Sequence, residues 1–315
     1  LVPVEFHRDF EPANGVTARF ARAGHIIGSG SLCLTAHGTS IAFTGDVGRP
    51  RDPIMMPPEP LEPADYLVVE STYGDRLHPT EDVAEMLARV VVETIEKRGV
   101  IIVPSFAVGR AQHLLHLLAT LRASRRIPDC PTYLDSPLAI DATRVFSEHR
   151  DDHALSVEQV RRMVSVARYT QTADQSREID RSSGPMIIVS ASGMCTGGRV
   201  LHHLQRFLPD DRTTVLFVGY QAAGTRGRSL VDGATELKMF GGYVPVKARV
   251  VQLDGLSAHA DYGEMISWLR TSKLAPRRVF VTHGEPEASD AFRRRLRDAF
   301  GWDARVPDVG EKVRL

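Results

Sequence analysis

Four short segments of the chain place an imidazole or a carboxylate in a glycine-containing turn. The residues are His25, Asp46, His259 and His283, and these turns follow apolar runs typical of strands. Neutral imidazole and carboxylate are the usual zinc ligands of hydrolytic sites, and a carboxylate has two oxygens with which to bridge two metal ions. A single histidine in such a turn is more often a hydrogen-bonded turn residue. Four such turns in one chain indicate a hydrolytic metal centre.

A second group of residues has the pattern of a phosphate site. Ser190–Gly193 follows an apolar run, and Gly197-Gly198-Arg199 opens a predicted helix. Backbone amides and a helix N-terminus can hold an anion, although a glycine-rich turn can also serve backbone geometry alone. Tyr220 could add a stacking ring for a single strand, and it fits core packing equally well. The phosphate-binding residues that we predict are Ser190, Ser192, Gly193, Gly198 and Arg199.

The composition limits the classes of function. The 315 residues suffice for two domains, and 39 basic and 39 acidic side chains give a formal net charge of zero. Any contact with nucleic acid must therefore come from a local patch. Three scattered cysteines exclude a disulfide framework or a cysteine zinc site and favour a reducing, cytoplasmic setting. No apolar run approaches the roughly 18 residues of a membrane span, so no membrane partner is expected.

The elements that must position these residues change character along the chain. Residues 1–70 are β-rich, with a hairpin-sized turn at His37-Gly38-Thr39. After a predicted helix cap at Thr80, strand-like runs alternate with helical periodicity, which favours a parallel sheet flanked by helices. Strands return in the last part of the chain, so the pattern predicts one domain with a second inserted into it. His78 and His153 stand in polar surroundings and are expected to be solvated.

These motifs, in this order, resemble those of the β-CASP branch of the metallo-β-lactamase superfamily, in particular its RNA-metabolising bacterial and archaeal members. The resemblance covers nearly the whole chain. It rests on Ala23–Gly30, Thr44–Gly48, Glu70–Gly74, Pro104–Arg110, Asp135–Pro137, Ser190–Met194, Ser257–Asp261 and Thr282–Glu285. The fold it implies is α/β: an αββα metallo-β-lactamase domain, incomplete at its N-terminus, in residues 1–75 and 235–315. A β-CASP domain with a parallel sheet would occupy residues 76–234.

The resemblance also implies a role for each residue. His25 would bind one zinc ion, Asp46 would bridge two, and His283 would bind the second. His259 would act as general acid or stabilise the transition state near the scissile phosphate, and Glu70 would orient it. This division is chemically reasonable, because a carboxylate-oriented imidazole is well suited to give the leaving oxygen a proton.

One segment of the family pattern is missing from this sequence. Family members take four further ligands from an H-x-H-x-D-H segment upstream of the position of His25, and residues 1–315 contain no such segment. His25, Asp46 and His283 are too few for a closed site with two zinc ions. We therefore expect this chain to be an inactive fragment of a longer enzyme, and a degenerate relative is the alternative.

The functional expectation is hydrolysis of phosphodiester bonds in single-stranded RNA, in a cleft between the two domains. Three alternatives remain: a non-catalytic RNA-binding scaffold subunit, a DNA nuclease of the same branch, and a small-molecule hydrolase of the wider superfamily. His283 disfavours the DNA nuclease, because relatives that act on DNA tend to lack a histidine there. The sequence leaves open whether the enzyme cuts RNA internally or from an end. It also leaves open whether the protein forms a homodimer.

Overall fold

The computed structural model describes residues 2–315, which divide into two compact units. One unit contains the residues up to His78 together with Ala258–Leu315, and the other contains Pro79–Ser257. In chain order, the second unit is therefore inserted between the two parts of the first.

The first half of the chain contains β1 (Asp9–Ala13), β2 (Val16–Arg22), β3 (Gly30–Ala36), β4 (Thr39–Phe43), β5 (Tyr66–Glu70), α1 (Val83–Glu96), β6 (Val100–Pro104), α2 (Arg110–Ala123), β7 (Thr132–Leu134), α3 (Pro137–Glu148) and α4 (Val157–Ser165). The second half contains β8 (Arg168–Tyr169), α5 (Ala173–Arg181), β9 (Met186–Ser190), α6 (Val200–Phe207), β10 (Thr214–Phe217), α7 (Arg226–Val231), β11 (Glu236–Met239), β12 (Gly242–Pro245), β13 (Arg249–Gln252), α8 (Tyr262–Thr271), β14 (Arg278–Thr282), α9 (Pro286–Phe300) and β15 (Ala304–Arg305).

The first unit is built on a seven-stranded sheet in the order β1-β2-β3-β4-β5-β14-β15. β1 to β4 form an antiparallel meander, and β5 runs parallel to both β4 and β14. The predicted turn between β3 and β4 is confirmed, since His37 and Gly38 both take positive φ angles, as a two-residue hairpin requires. Helices α8 and α9 contribute Leu269 and Phe292 to an apolar core with Leu67 of β5.

The second unit contains a six-stranded parallel sheet in the order β13-β10-β6-β9-β7-β8. Its central strands, such as Met186–Ser190, are buried along their whole length. This burial explains their continuous apolar sequences, because helices cover both faces of a parallel sheet. The mixed α/β fold and the parallel sheet predicted for this region are confirmed.

The return to the first unit comes later in the chain than residue 235. β11 and β12 pair with each other, and β13 pairs in parallel with β10 in the second sheet. Residues 235–257 therefore belong to the second compact unit, which ends at Ser257. The sequence pattern did not separate β13 from the strands that follow, because all of them are short apolar runs.

Candidate active site

The predicted metal ligands lie at one edge of the first sheet. β4, β5 and β14 are parallel neighbours, so their carboxyl ends meet there. Asp46 follows β4, Glu70 ends β5, and His283 comes directly after β14. β2 runs in the same direction as β4, because both are antiparallel to β3, and this brings His25 to the same edge.

Backbone pairing joins the loops that carry these residues. Isolated antiparallel bridges link Gly24 with Val47 and Gly48 with His259. The Ala260 amide also donates a hydrogen bond of 2.8 Å to the Val47 carbonyl. A Cβ atom at position 48 would lie 2.0 Å from the Gly24 carbonyl oxygen, so only glycine permits this approach. The loops after β2 and β4 and the segment before α8 are thereby held as one layer.

Asp46 presents one carboxylate oxygen to each of two imidazoles. Its Oδ1 lies 3.1 Å from Nδ1 of His283, and its Oδ2 lies 4.0 Å from Nε2 of His25. Donor atoms of His25, Asp46 and His259 lie within 4.8 Å of one another, as do those of Asp46, Glu70 and His283. The structure therefore brings together all five residues that the sequence predicted for this site.

Glu70 is a buried carboxylate that holds the ring of His259. Both of its carboxylate oxygens lie 3.1 Å from His259 Nδ1. Oε1 also accepts a bond of 2.5 Å from the Val47 amide, and Oε2 accepts one of 2.7 Å from the Thr72 hydroxyl. Burial alone would raise the pKa of Glu70, but the bonds and charge of His259, with the bonds from Thr72 and Val47, lower it. Glu70 is therefore an anion that leaves His259 Nε2 as the ring nitrogen able to act on a substrate.

His78 supports the same segment, so the prediction that it is solvated was wrong. The residue is only 9% exposed, and its Nε2 lies 2.9 Å from the His259 carbonyl oxygen. Its amide donates a bond of 2.9 Å to Asp261 Oδ2. Burial lowers the pKa of His78 and favours the neutral ring, whose one N–H can be donated from Nε2. His78 thus fixes the backbone on which His259 stands.

His78, Asp261 and Glu264 also lie within metal-binding distance of one another, but their groups have other partners. Asp261 is the N-cap of α8 and accepts the Glu264 amide at 2.8 Å. Glu264 Oε1 lies 3.2 Å from Arg49 Nε. This trio is therefore a capping network that anchors the start of α8 rather than a second metal site.

The predicted phosphate segment lies in the second unit, after β9. Ser190 is buried, and its hydroxyl donates to the Asp135 carbonyl at 2.9 Å. The Ser192 hydroxyl is 3.0 Å from that of Thr196, across the turn. Gly193 packs closely against Phe106, since a Cβ there would lie 3.0 Å from the ring of Phe106. Gly198 has φ +78°.

Arg199 is committed to the protein interior. Its NH1 donates to Asp135 Oδ1 at 2.7 Å and to the Thr170 carbonyl at 2.8 Å, and its NH2 donates to the Gln171 carbonyl at 2.8 Å. Arg199 is also the N-cap of α6. These bonds hold the guanidinium group of Arg199 against the second unit's own backbone and Asp135.

Comparison with known proteins places these features in a family. A Beta-Casp domain model matches residues 111–230, and a model described as a Zn-dependent metallo-hydrolase RNA specificity domain matches residues 243–307. A ribonuclease of Thermus thermophilus is 35% identical over 91% of this chain, which covers 67% of that relative. The chain belongs to the metallo-β-lactamase β-CASP family of RNA-processing nucleases.

Two further relatives support this membership. An RNase J-like protein of Methanocaldococcus jannaschii is 33% identical, over 92% of this chain and 68% of its own length. The transcription termination factor FttA of Pyrococcus abyssi is 31% identical, over 98% of this chain and 50% of its own length. Within the described residues of this β-CASP chain, every helix is too short or too polar to cross a membrane.

Proposed function

We propose that this chain is the larger part of a zinc-dependent ribonuclease that hydrolyses phosphodiester bonds of single-stranded RNA. The observation that carries the proposal is the position of Asp46, with one oxygen toward His25 and the other toward His283. Imidazole nitrogens, together with a carboxylate that has one oxygen toward each imidazole, are suitable ligands for a pair of zinc ions. When bound, zinc supplies Lewis acidity toward the phosphoryl oxygens.

His259 and Glu70 supply the proton transfer in this proposal. Because the Glu70 carboxylate holds Nδ1, His259 can donate a proton from Nε2 to the leaving 3′ oxygen. Cleavage in this way leaves a 3′-hydroxyl and a 5′-phosphate. The turns that contain Ser192, Gly193 and Gly198 would contact phosphates of the bound strand.

Two zinc ions need more donors than His25, Asp46 and His283 provide. We propose that a segment outside residues 1–315 supplies the rest, so that this chain is inactive by itself. Support comes from the relatives, which are longer than the part that this chain matches. The free thiols of the three cysteines fit action in a reducing cytoplasm.

The experiment compares this chain with a version extended to its natural start. Zinc is measured by elemental analysis, and cleavage is measured on an end-labelled single-stranded RNA. We expect about two zinc ions and cleavage only in the extended protein, and no cleavage after His283→Ala. His149→Ala is the matched control, because that side chain is 58% exposed.

Two outcomes would contradict the proposal. An extended protein that binds RNA but holds no zinc and does not cut it would be a scaffold subunit. Faster cleavage of single-stranded DNA than of RNA would identify a DNA nuclease.

A further inference from the structure

A short hairpin in the second unit carries an aromatic residue in an unfavourable backbone position. β11 and β12 are joined by Phe240 and Gly241, whose φ angles are 49° and 83°. Two-residue hairpin turns with positive φ at both positions strongly favour Asn, Asp or Gly at the first position. A phenylalanine there is costly for the backbone, which suggests that its ring has a purpose other than folding.

The ring of Phe240 is supported on one side and exposed on the other. It stacks on the ring of His202 in α6, with centroids 4.6 Å apart and an interplanar angle of 22°, yet the residue is 55% exposed. Tyr243 is 64% exposed, and Lys238 Nζ lies 5.8 Å from the centroid of its ring. Leu237, on the opposite face, is buried in the core. One face of the hairpin therefore displays two rings and a cation. We call Lys238, Phe240, Tyr243 and His202 the hairpin surface.

Arg226 connects the hairpin surface to the turn that follows β9. Its Nε donates to the Lys238 carbonyl at 2.9 Å, and its NH1 lies 3.4 Å from the carbonyl oxygens of both Cys195 and Thr196. His202 is the third residue of α6, in the first turn after the N-cap Arg199. The exposed rings are thus fixed beside the segment for which we predicted phosphate contacts.

The charge of this surface suits an anionic partner. Lys238 is the cation of the hairpin surface, and Glu236 shares the exposed face of β11 with it. The neighbouring residues 200–207 and 236–247 contain three basic side chains, Lys238, Lys247 and Arg206, against this one acidic side chain. The whole chain has zero net charge, so this is a local excess. Exposed rings interleaved with cations are typical of surfaces that bind single-stranded nucleic acid, because bases stack on the rings while cations meet the phosphates. A face for a second copy of this chain would instead be expected to be depleted of lysine.

We propose that the hairpin surface is an additional binding site for single-stranded RNA, with bases stacked on Phe240 and Tyr243 and phosphates near Lys238. The proposal rests on the proposed ribonuclease function, since it extends the path of the same substrate. It assigns no chemistry to these residues. They would increase the affinity for RNA strands that are long enough to reach from the turn after β9 to the hairpin.

The decisive variant is Phe240→Asn in the protein with its natural termini. Asn-Gly is a favoured pair for this turn, so the variant should be at least as stable as the wild type, which separates loss of the ring from damage to the fold. The affinity for a labelled oligouridine of about 20 nucleotides is measured by fluorescence anisotropy in a buffer that contains a metal chelator. We expect it to fall about 5- to 100-fold, the range for loss of one stacked base. Phe240→Trp should retain binding. Val157→Asn removes an apolar side chain that is 52% exposed elsewhere in this unit, and it should have no effect.

Other outcomes would overturn the inference. Wild-type affinity in Phe240→Asn would show that RNA does not use this surface. Dissociation of a dimer by Phe240→Asn, with RNA affinity unchanged, would show that the surface joins two copies of the chain. His283→Ala separates this inference from the proposed catalytic function, because it should abolish cleavage and leave oligouridine binding intact.

Discussion

Nδ1 of His259 lies 3.1 Å from both carboxylate oxygens of Glu70, although the two residues are 189 positions apart in the chain. The contact fixes the plane of the ring and places an anionic carboxylate against its Nδ1. Because Glu70 is only 3% exposed, its charge is poorly screened by solvent. A buried anion behind an imidazole suits a group that must donate a proton from its other nitrogen.

Glu70→Gln in the extended protein should slow RNA cleavage about 10- to 100-fold, the range for residues that orient a group in the site. The amide can still accept the Val47 N–H, but it carries no charge to act on His259. Zinc content and RNA affinity should stay the same, so the loss should appear in kcat rather than KM. An unchanged kcat would contradict a role for Glu70 in proton transfer. Glu70→Ala is a poorer probe, since it also leaves the buried Val47 amide without this acceptor.

Gly48→Ala should destabilise the first unit by about 3 kcal/mol, at the upper end of the cost of overpacking. The new methyl group would lie 2.0 Å from the Gly24 carbonyl oxygen, so the bridge between the two loops must open. Gly28→Ala is the matched control. Gly28 lies in the loop of Gly24, between β2 and β3, and has φ +78° but nothing within 4 Å of a Cβ, so its cost should be limited to about 1 kcal/mol of backbone strain. Denaturant unfolding measures both, and equal effects would contradict the steric argument.

The second unit contains a buried histidine between two carboxylates. His203 is fully buried, with Nε2 at 2.7 Å from Asp135 Oδ2 and Nδ1 at 2.6 Å from Asp180 Oδ1. Burial opposes a charge on the ring, but the hydrogen bonds to the two carboxylates outweigh it and raise the pKa of His203. Burial also disfavours the Asp135 anion, but bonds from His203, Ser176 and Arg199 lower its pKa. The network is therefore an ion pair stabilised on both sides.

These two shifts set the pH range in which the network stabilises the fold. The contribution of His203 should be complete below the unfolded pKa of about 6.5 and should be lost as the pH rises through the raised folded pKa. The contribution of Asp135 should be present above about pH 3.9 and lost as the pH falls through its lowered folded pKa.

His203→Gln should therefore lower the free energy of unfolding by about 3 kcal/mol near pH 6, the lower end for breaking a buried ion pair. The difference from wild type should narrow as the pH rises through the raised folded pKa of His203, because the wild-type ring then loses its charge. Urea unfolding over a series of pH values above 6 is the measurement, with the exposed His149→Gln as control. A difference independent of pH would mean that His203 is neutral in the fold.

The sequence predicted that the active-site turns would converge on the edge of a sheet, because strand ends are local features. His25, Asp46 and His283 follow β2, β4 and β14, which run in the same direction, so the ends of these strands meet at one edge. His259 follows a strand of the other sheet and is held there by the bridge between its backbone and Gly48. The spacing of Ser156 and Gln159 likewise predicts a capping box from local sequence, and the structure has one at the start of α4. The cap of α1 was predicted at Thr80 but is Asp82, whose carboxylate accepts the amides of Ala84 and Glu85. Several adjacent polar residues made that choice ambiguous.

Long-range partners could not be read from the sequence. His78 bonds to a carbonyl 181 positions away, and nothing near it in the chain signals that contact. His153 was expected in solvent, but it is buried and stacks on Phe146 with ring centroids 4.3 Å apart. In each case polarity predicted exposure, while the fold supplied a partner.

The parallel pairing of β5 with β14 affects how the protein emerges from a ribosome. Thr282 at the end of β14 bonds to Ser71 just past β5, 211 residues earlier in the chain. At the usual synthesis rate of about 5–20 residues per second, roughly 10–40 seconds pass between the synthesis of β5 and the synthesis of β14. During that interval the edge of β5 is open, and His259 and His283 have not been made. The nascent chain therefore cannot assemble this site until β14 and His283 have left the ribosome.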